Sequence, residues 1–213
     1  MSDAASRALR RSNCYKLLAA CFYEPDRDLF LEENLCDNLV NELTACGCDK
    51  AAAAAREMGD ALRSASGDDL TVEHARLFVG PFELLAPPYG SVYMEKGRRI
   101  MGDTTMEVKR IYREEGLSIE VEEVPDHIIL ELEFLHYLSF REAETLAGGD
   151  MDGARDLRER CNDFLERYLL PWMSGFCGDI RAGAENRFYS ALADCLESFS
   201  VQESARQHVA ETV

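Results

Sequence analysis

Basic residues are scarce in this sequence. Its 213 residues hold 23 Lys and Arg against 40 Asp and Glu, which gives a formal net charge of −17. Proteins that bind DNA or RNA need clustered Lys and Arg to neutralise phosphates, so no nucleic-acid partner is predicted. An acidic surface is instead complementary to a cationic ligand.

Long apolar runs are also missing. A membrane-spanning helix needs about 20 consecutive apolar residues, and no segment approaches that length, so no stable membrane insertion is predicted. The hydrophobic share of 46% is nevertheless too high for a disordered chain. A chain of this length can fold as one unit that hides roughly 70% of its unfolded surface, and it needs no metal or disulfide to do so.

Cysteine occurs eight times but never as a C-x-x-C pair, the usual spacing of zinc and thiol redox sites. Cys14, Cys21, Cys161 and Cys195 each fall on an apolar helical stripe, where cysteine acts as a small hydrophobic residue. We therefore predict that the cysteines fill the core, with a zinc site or a redox pair as the alternative. Free thiols in this number are typical of a reducing compartment, so the predicted location is cytoplasmic.

The apolar residues that are present follow helical spacing. Between Cys14 and Phe22 they recur at i, i+3, i+4, i+7 and i+8, which predicts one helix face. One short run, 119–124, alternates as a strand does but is too short to found a sheet. Similar stripes predict further helices at 35–43, 51–62, 73–79, 104–112, 161–169 and 188–199. The fold class is therefore predicted to be all-α.

Local signals predict where some of these helices begin and end. Thr104-x-x-Glu107 has the spacing of a capping box. Gly116 is the predicted C-terminal cap of the same helix. Pro171 is predicted to stop the helix that runs through Leu169.

Two segments interrupt the helical pattern. Residues 80–103 are rich in Pro, Gly and aromatic residues, and a long aromatic connection of this kind is more often functional than idle. Residues 116–126 form the second break. We predict an N-terminal helical part (1–115) that includes the first loop, a hinge (116–126), and a C-terminal helical part (127–213).

The most apolar helix follows Pro125-Asp126-His127, and Pro125 is predicted in its first turn. Glu131 lies on an apolar face of this helix, where a lone carboxylate is costly, so it needs a partner or a cleft. His127, one turn earlier, and an arginine from another helix are the candidate partners. Three interpretations remain open: a structural tie, a metal site using His127 and Glu131, and a recognition pocket at the Asp126/His127 corner.

Charge favours the recognition pocket. From Arg113 to Glu133 there are eight acidic residues and one basic residue. An acidic rim over an apolar floor suits a peptide that carries arginines followed by hydrophobic residues.

Several motifs resemble the TorD/DmsD/NarJ group of redox-enzyme maturation chaperones. They are Pro125-Asp126-His127 with Glu131-Leu132-Glu133-Phe134, Glu73-His74-Ala75-Arg76-Leu77-Phe78-Val79-Gly80-Pro81, and Pro87-Pro88-Tyr89-Gly90-Ser91-Val92-Tyr93. Tyr15 to Phe22 is similar to the opening helix of that group, and Leu169 to Trp172 and Phe188-Tyr189 to its closing segments. Tyr168 stands where many members have histidine.

The resemblance implies a TorD-like helical bundle of roughly ten helices and a non-enzymatic cytoplasmic chaperone. Such a protein binds the twin-arginine signal peptide or the apo form of a molybdenum-cofactor oxidoreductase before export, as a monomer or a domain-swapped homodimer. An assembly factor for a cytoplasmic-facing, nitrate-reductase-type subunit is the alternative, and a small metal-dependent enzyme is a more distant one. No cofactor and no metal are predicted. The predicted peptide-binding residues are Leu77, Phe78, Tyr89, Tyr93, Pro125, Asp126 and His127, supported by Glu122, Glu123 and Glu131.

Overall fold

The computed structural model describes residues 2–80, 84–97, 100–118 and 124–210. These residues form helices and connecting loops without a strand, which confirms the all-α prediction. The helices are α1 Asp3–Ala20, α2 Arg27–Glu32, α3 Leu35–Ala45, α4 Asp49–Ser64, α5 Gly67–His74, α6 Gly90–Met94, α7 Asp103–Glu114, α8 Ile128–Ala147, α9 Met151–Phe164, α10 Leu170–Gly183 and α11 Arg187–Ala210, with π-helical turns at Ala75–Val79 and Leu165–Leu169.

Helix α8 lies in the middle of the bundle because its surface is apolar on most sides. It packs along α1 on one side and α9 on the other, while α11 covers α4 and α10. The largest fully buried side chains, among them Trp172, Tyr15 and Tyr189, fill the space between these layers. None of the helices in the described part of the chain is long and apolar enough to cross a membrane.

Seven of the eight cysteines are buried, and Cys46 is partly exposed. All eight are free thiols, so the prediction that they serve as core residues is confirmed for the buried seven. Burial raises the pKa of the Cys36 and Cys48 thiols to about 12, which leaves them protonated at neutral pH.

The predicted helix stop at Pro171 is wrong. The chain stays helical from α9 through the turn Leu165–Leu169 into α10. Pro171 falls in the first turn of α10, where the N–H that proline lacks is not needed for a hydrogen bond within that helix.

The predicted capping box at Thr104 is also wrong. Helix α7 begins one residue earlier, and the Thr104 N–H donates to Glu95 Oε1 at 2.9 Å. The Gly102 N–H donates to Thr105 Oγ1 at 3.2 Å. Gly116 ends the helix with a φ of +78°, as predicted. Of the predicted hinge, residues 119–123 lie outside the described residues.

Candidate functional site

A cleft of about 580 Å³ opens beside the first turn of α8. Its walls come from the loop after α1, the end of α5 with the π-helical turn that follows it, the loops on either side of α6, and the start of α8. Three of the predicted peptide-binding residues, Phe78, Tyr89 and His127, are on its surface. The complete lining is Phe22, Tyr23, Glu24, His74, Phe78, Val79, Leu84, Pro88, Tyr89, Ile100, Val124, His127, Ile128 and Ile129.

One wall of the cleft forms where the backbone of residues 88–90 pairs with the backbone of residues 126–128. The Gly90 N–H donates to the Asp126 carbonyl at 2.9 Å, and the Ile128 N–H donates to the Pro88 carbonyl at 2.9 Å. Between these bonds, Tyr89 and His127 form an isolated antiparallel bridge, and their rings meet edge to face at 5.2 Å. The loop before α6 is therefore fixed to the start of α8.

His127 begins α8 as its N-cap, so the prediction that Pro125 lies in the first turn is wrong. The ring Nδ1 accepts the Ile129 N–H at 3.2 Å, which satisfies one of the donors that an α-helix leaves free at its start. Burial lowers the pKa of His127 to about 4, against the nearby Asp126 charge, and His74 lowers it further. The ring is therefore neutral at pH 7, with its proton on Nε2.

The floor of the cleft is aromatic. Phe78, which is 6% exposed, lies 5.8 Å from Phe22 and 6.0 Å from Phe176, measured between ring centroids. It sits within the π-helical turn that ends α5, and Gly80 stops that turn with a φ of +96°. Turns of this type occur often at functional sites.

His74 is the second histidine of the cleft. Its Nε2 lies 3.0 Å from the carbonyl of Phe22, which accepts the ring proton and ties α5 to the end of α1. Burial lowers the pKa of His74, partly offset by this bond and by Glu24. With both rings neutral, Glu24 carries the one full charge among the described lining residues.

Asp126 lies beneath the cleft and is fully buried. Its Oδ2 accepts the Ser91 N–H at 2.6 Å, so the carboxylate caps the first turn of α6. Its Oδ1 has no hydrogen-bond partner among the described residues, and neither has the Ser91 hydroxyl. The bond from the Ser91 N–H therefore ties the loop that carries Tyr89 to the residue before His127.

Glu131 is fully buried one turn into α8. Its Oε2 accepts the Trp172 Nε1–H at 3.1 Å, so the predicted partners, His127 or an arginine, are wrong. Burial and the charge of Asp126 raise the pKa of Glu131 well above its usual value, against the effect of the Trp172 bond. Glu131 thus holds α10 against α8.

The remaining predicted residues support the cleft from behind. Leu77 is fully buried, and Tyr93 stacks on Trp172 at 5.7 Å. The Pro125 carbonyl accepts the Tyr112 hydroxyl at 3.1 Å. None of the three contributes to the lining. Glu122 and Glu123 lie outside the described residues.

Sequence reasoning missed the contribution of the loop after α1. Tyr23 and Glu24 form the rim, and the Tyr23 hydroxyl donates to Glu133 Oε1 at 2.6 Å. Their position directly after an amphipathic helix and before Pro25 was the available signal. Ile100, which is 46% exposed, was missed as well because loop residues show no periodicity.

In the described part of the chain, no three His, Cys, Asp or Glu side chains lie close enough together to hold a metal ion. Asp126, His127 and Glu131 each bond a different neighbour: Ser91, Ile129 and Trp172. Their geometry is that of structural support rather than a shared ligand set.

The overall fold is similar to that of a known class. A crystal structure of an Archaeoglobus fulgidus protein described as a redox enzyme maturation protein superposes with a TM-score of 0.53 over 88% of this chain and 92% of the other, at 23% identity. That likeness shows that the two proteins share a fold.

Sequence comparison identifies the family. The profile described as "Nitrate reductase delta subunit" matches residues 45–178, and the chain belongs to this family, the TorD/DmsD/NarJ group. It is 28% identical over 204 residues to the perchlorate reductase assembly chaperone protein of Dechloromonas aromatica, covering 91% of this chain and 88% of that one. It is 30% identical over 129 residues to the Tat proofreading chaperone DmsD of Salmonella typhimurium, covering 60% of this chain. That match spans only 56% of the Salmonella protein.

Proposed function

We propose that the protein is a chaperone that holds the apo form of a molybdenum-cofactor oxidoreductase by its twin-arginine signal peptide until the cofactor is inserted. The observation that carries the proposal is the cleft of about 580 Å³ whose wall is the paired Tyr89 and His127. Relatives named as a Tat proofreading chaperone and as a reductase assembly chaperone support it. The proposed location is the cytoplasm, where a signal peptide is met before export.

The peptide's two ends match different parts of the cleft. Its apolar segment lies on Phe78, Val79 and Ile100, where burial of hydrophobic surface supplies most of the affinity. Its arginines lie at the rim near Glu24, whose carboxylate accepts charge-assisted hydrogen bonds. The neutral ring of His127 donates from Nε2 to the peptide backbone.

The predicted residues that do not line the cleft act as positioning residues in this proposal. Asp126 fixes the loop that carries Tyr89 through the Ser91 N–H, and Pro125, Leu77 and Tyr93 hold the surrounding backbone and aromatic layer. No catalytic role is assigned to any of them.

A second candidate function is assembly of a cytoplasmic-facing reductase subunit without a signal peptide. The family description and the assembly chaperone that aligns with 91% of the chain favour it. In that case the cleft holds a segment of the mature subunit.

Calorimetric titration with a twin-arginine signal peptide tests the proposal, with a peptide whose two arginines are lysines as the comparison. We expect the lysine peptide to bind about tenfold or more weakly, because lysine lacks the planar fork that pairs with a carboxylate. Glu24→Gln is expected to reduce the preference for arginine, with the exposed Glu32→Gln as the matched control.

The apolar contact is tested in the same way. Tyr89→Ala is expected to weaken both peptides, whereas Phe140→Ala, a half-exposed aromatic on α8 outside the cleft, leaves binding unchanged. Equal affinity for the two peptides would contradict recognition of arginine. Binding to a mature-subunit segment instead would favour the second candidate.

A further inference from the structure

A second cavity, of about 320 Å³, lies away from the cleft, between α1, the end of α3, α9 and α11. Four of its lining residues are arginines: Arg7, Arg11, Arg158 and Arg206. The others are Ala45, Cys46 and Glu203. Such a concentration of guanidinium groups stands out in a chain with 23 basic and 40 acidic residues.

Buried carboxylates hold three of these guanidinium groups in place. Arg11, whose side chain is 4% exposed, bonds Glu142 and lies 3.9 Å from Glu203. Glu142 also accepts from Arg158 at 3.4 Å, and Glu203 from Arg206 at 3.1 Å. Two buried acids are therefore shared by three arginines, whose positions are fixed before any ligand arrives.

The local charge balance is positive. Arg7 pairs with the exposed Asp3, so the four guanidinium groups face three carboxylates: Asp3, Glu142 and Glu203. Arginine stays protonated at every relevant pH. The four arginines therefore carry one positive charge more than these carboxylates balance. Two of the four, Arg158 and Arg206, are half-buried.

The geometry points to a binding site for a phosphate ester of a small molecule in this arginine-lined cavity. Arginine forks pair with phosphate oxygens through two parallel hydrogen bonds. The volume falls at the lower end of the range for small-molecule sites, roughly 300–1,000 Å³, and exceeds what a bare phosphate ion fills. The acidic remainder of the surface repels nucleic acids, so a small ester is the occupant.

Isothermal titration at constant ionic strength tests the site, with glycerol 3-phosphate, inorganic phosphate and chloride as probes. We expect glycerol 3-phosphate to bind more tightly than inorganic phosphate, and chloride not to compete. Arg158→Gln and Arg7→Gln are each expected to weaken the ester about tenfold or more. Arg155→Gln is the matched control, because it is on α9 one turn away, is exposed, and lies outside the cavity.

These variants leave Glu142 paired with Arg11, so they are expected to fold, which circular dichroism checks. Cys46 gives an independent readout, since it borders the cavity and is the one cysteine of the eight that is not buried. A bound ester should slow its reaction with a neutral disulfide reagent, measured at saturating ester.

Equal binding of the ester and inorganic phosphate would reassign the site to free phosphate and overturn the ester proposal. If the ester gives no heat of binding and does not slow the reaction of Cys46, the cavity is not a binding site. The same conclusion follows if Arg155→Gln weakens ester binding as much as Arg158→Gln does. The test uses no peptide, so its result does not depend on the proposed chaperone function.

Discussion

His127 shows how one side chain can both begin a helix and form part of a cleft wall. Its Nδ1 caps α8, and the same ring packs against Tyr89 across the bridge that closes the cleft wall. The capping bond requires an unprotonated Nδ1, which agrees with a pKa lowered by burial to about 4.

This lowered pKa makes a prediction about acid stability. Between pH 6.5 and about 4 the unfolded chain binds a proton at His127 and the folded chain does not. The folded state therefore becomes less stable as the pH falls through this range. His127→Asn keeps a capping oxygen and removes the titration. We expect the wild type to lose up to about 1.4 kcal/mol per pH unit relative to this variant in that window, measured by urea unfolding.

His127→Ala separates the two roles. Loss of the cap is expected to cost about 0.5–2 kcal/mol at pH 7, whereas the asparagine variant stays near the wild type. If both variants lose equal stability at pH 7, the capping role is wrong.

Glu131 makes the opposite pH prediction. Burial, together with the Asp126 charge, raises its pKa in the folded state, so above about pH 4.5 the unfolded chain releases a proton that the folded chain keeps. The wild type therefore loses stability relative to Glu131→Gln as pH rises, by up to about 1.4 kcal/mol per pH unit until the folded pKa is reached. A difference between the two proteins that stays constant from pH 4 to 7 would contradict a raised pKa of Glu131.

The sequence predicts correctly that a buried polar side chain has a partner, but it does not predict which residue that partner is. An acid on an apolar face had to have a partner, and Glu131 has one. That partner, Trp172, is 41 residues away on α10. Only the relative placement of two helices decides such a contact, and local spacing carries no information about it.

At the scale of elements, the site depends on how closely the loop before α6 approaches α10. A Cβ built on Gly90 would lie 3.0 Å from Trp172 Nε1, within the buried layer that also holds Glu131. Glycine at this position allows the backbone bonds that join the loop to the start of α8.

Gly90→Ala is therefore expected to destabilise the fold by about 1–3 kcal/mol through overpacking and to weaken peptide binding by displacing Tyr89. Gly178→Ala is the matched control, because nothing lies within 4 Å of its added Cβ and it is inside α10. We expect that change to be neutral or to stabilise by roughly 0.5–1 kcal/mol. Thermal unfolding measures the stability of both variants. An equal loss of stability in the two would contradict the close approach of Gly90 to Trp172.

Long helices with regular stripes were predictable because burial of one face sets their period. Segments 35–43, 51–62 and 188–199 all lie within α3, α4 and α11. The short helix α2 was missed, and so were the π-helical turns and the helical path through Pro171. These features arise from tertiary packing, which overrides weak local preferences.

At the scale of the whole molecule, charge is distributed unevenly. The net charge of −17 is complementary to the cationic signal peptide proposed as the ligand, while the arginine-lined cavity concentrates positive charge at a separate place. The family and the fold were predictable from motifs spread along the chain. The rim residue Glu24 and the burial of Asp126 were not, because both depend on where the loops lie.

Photo-crosslinking tests directly whether the cleft beside α8 holds the peptide. A benzoylphenylalanine is placed in the apolar segment of a twin-arginine signal peptide, and mass spectrometry maps the crosslinked residues. We expect crosslinks to Val79, Tyr89 and Ile100 that an excess of unlabelled peptide removes. Crosslinks concentrated on surfaces outside the cleft, with none to these three residues, would contradict it.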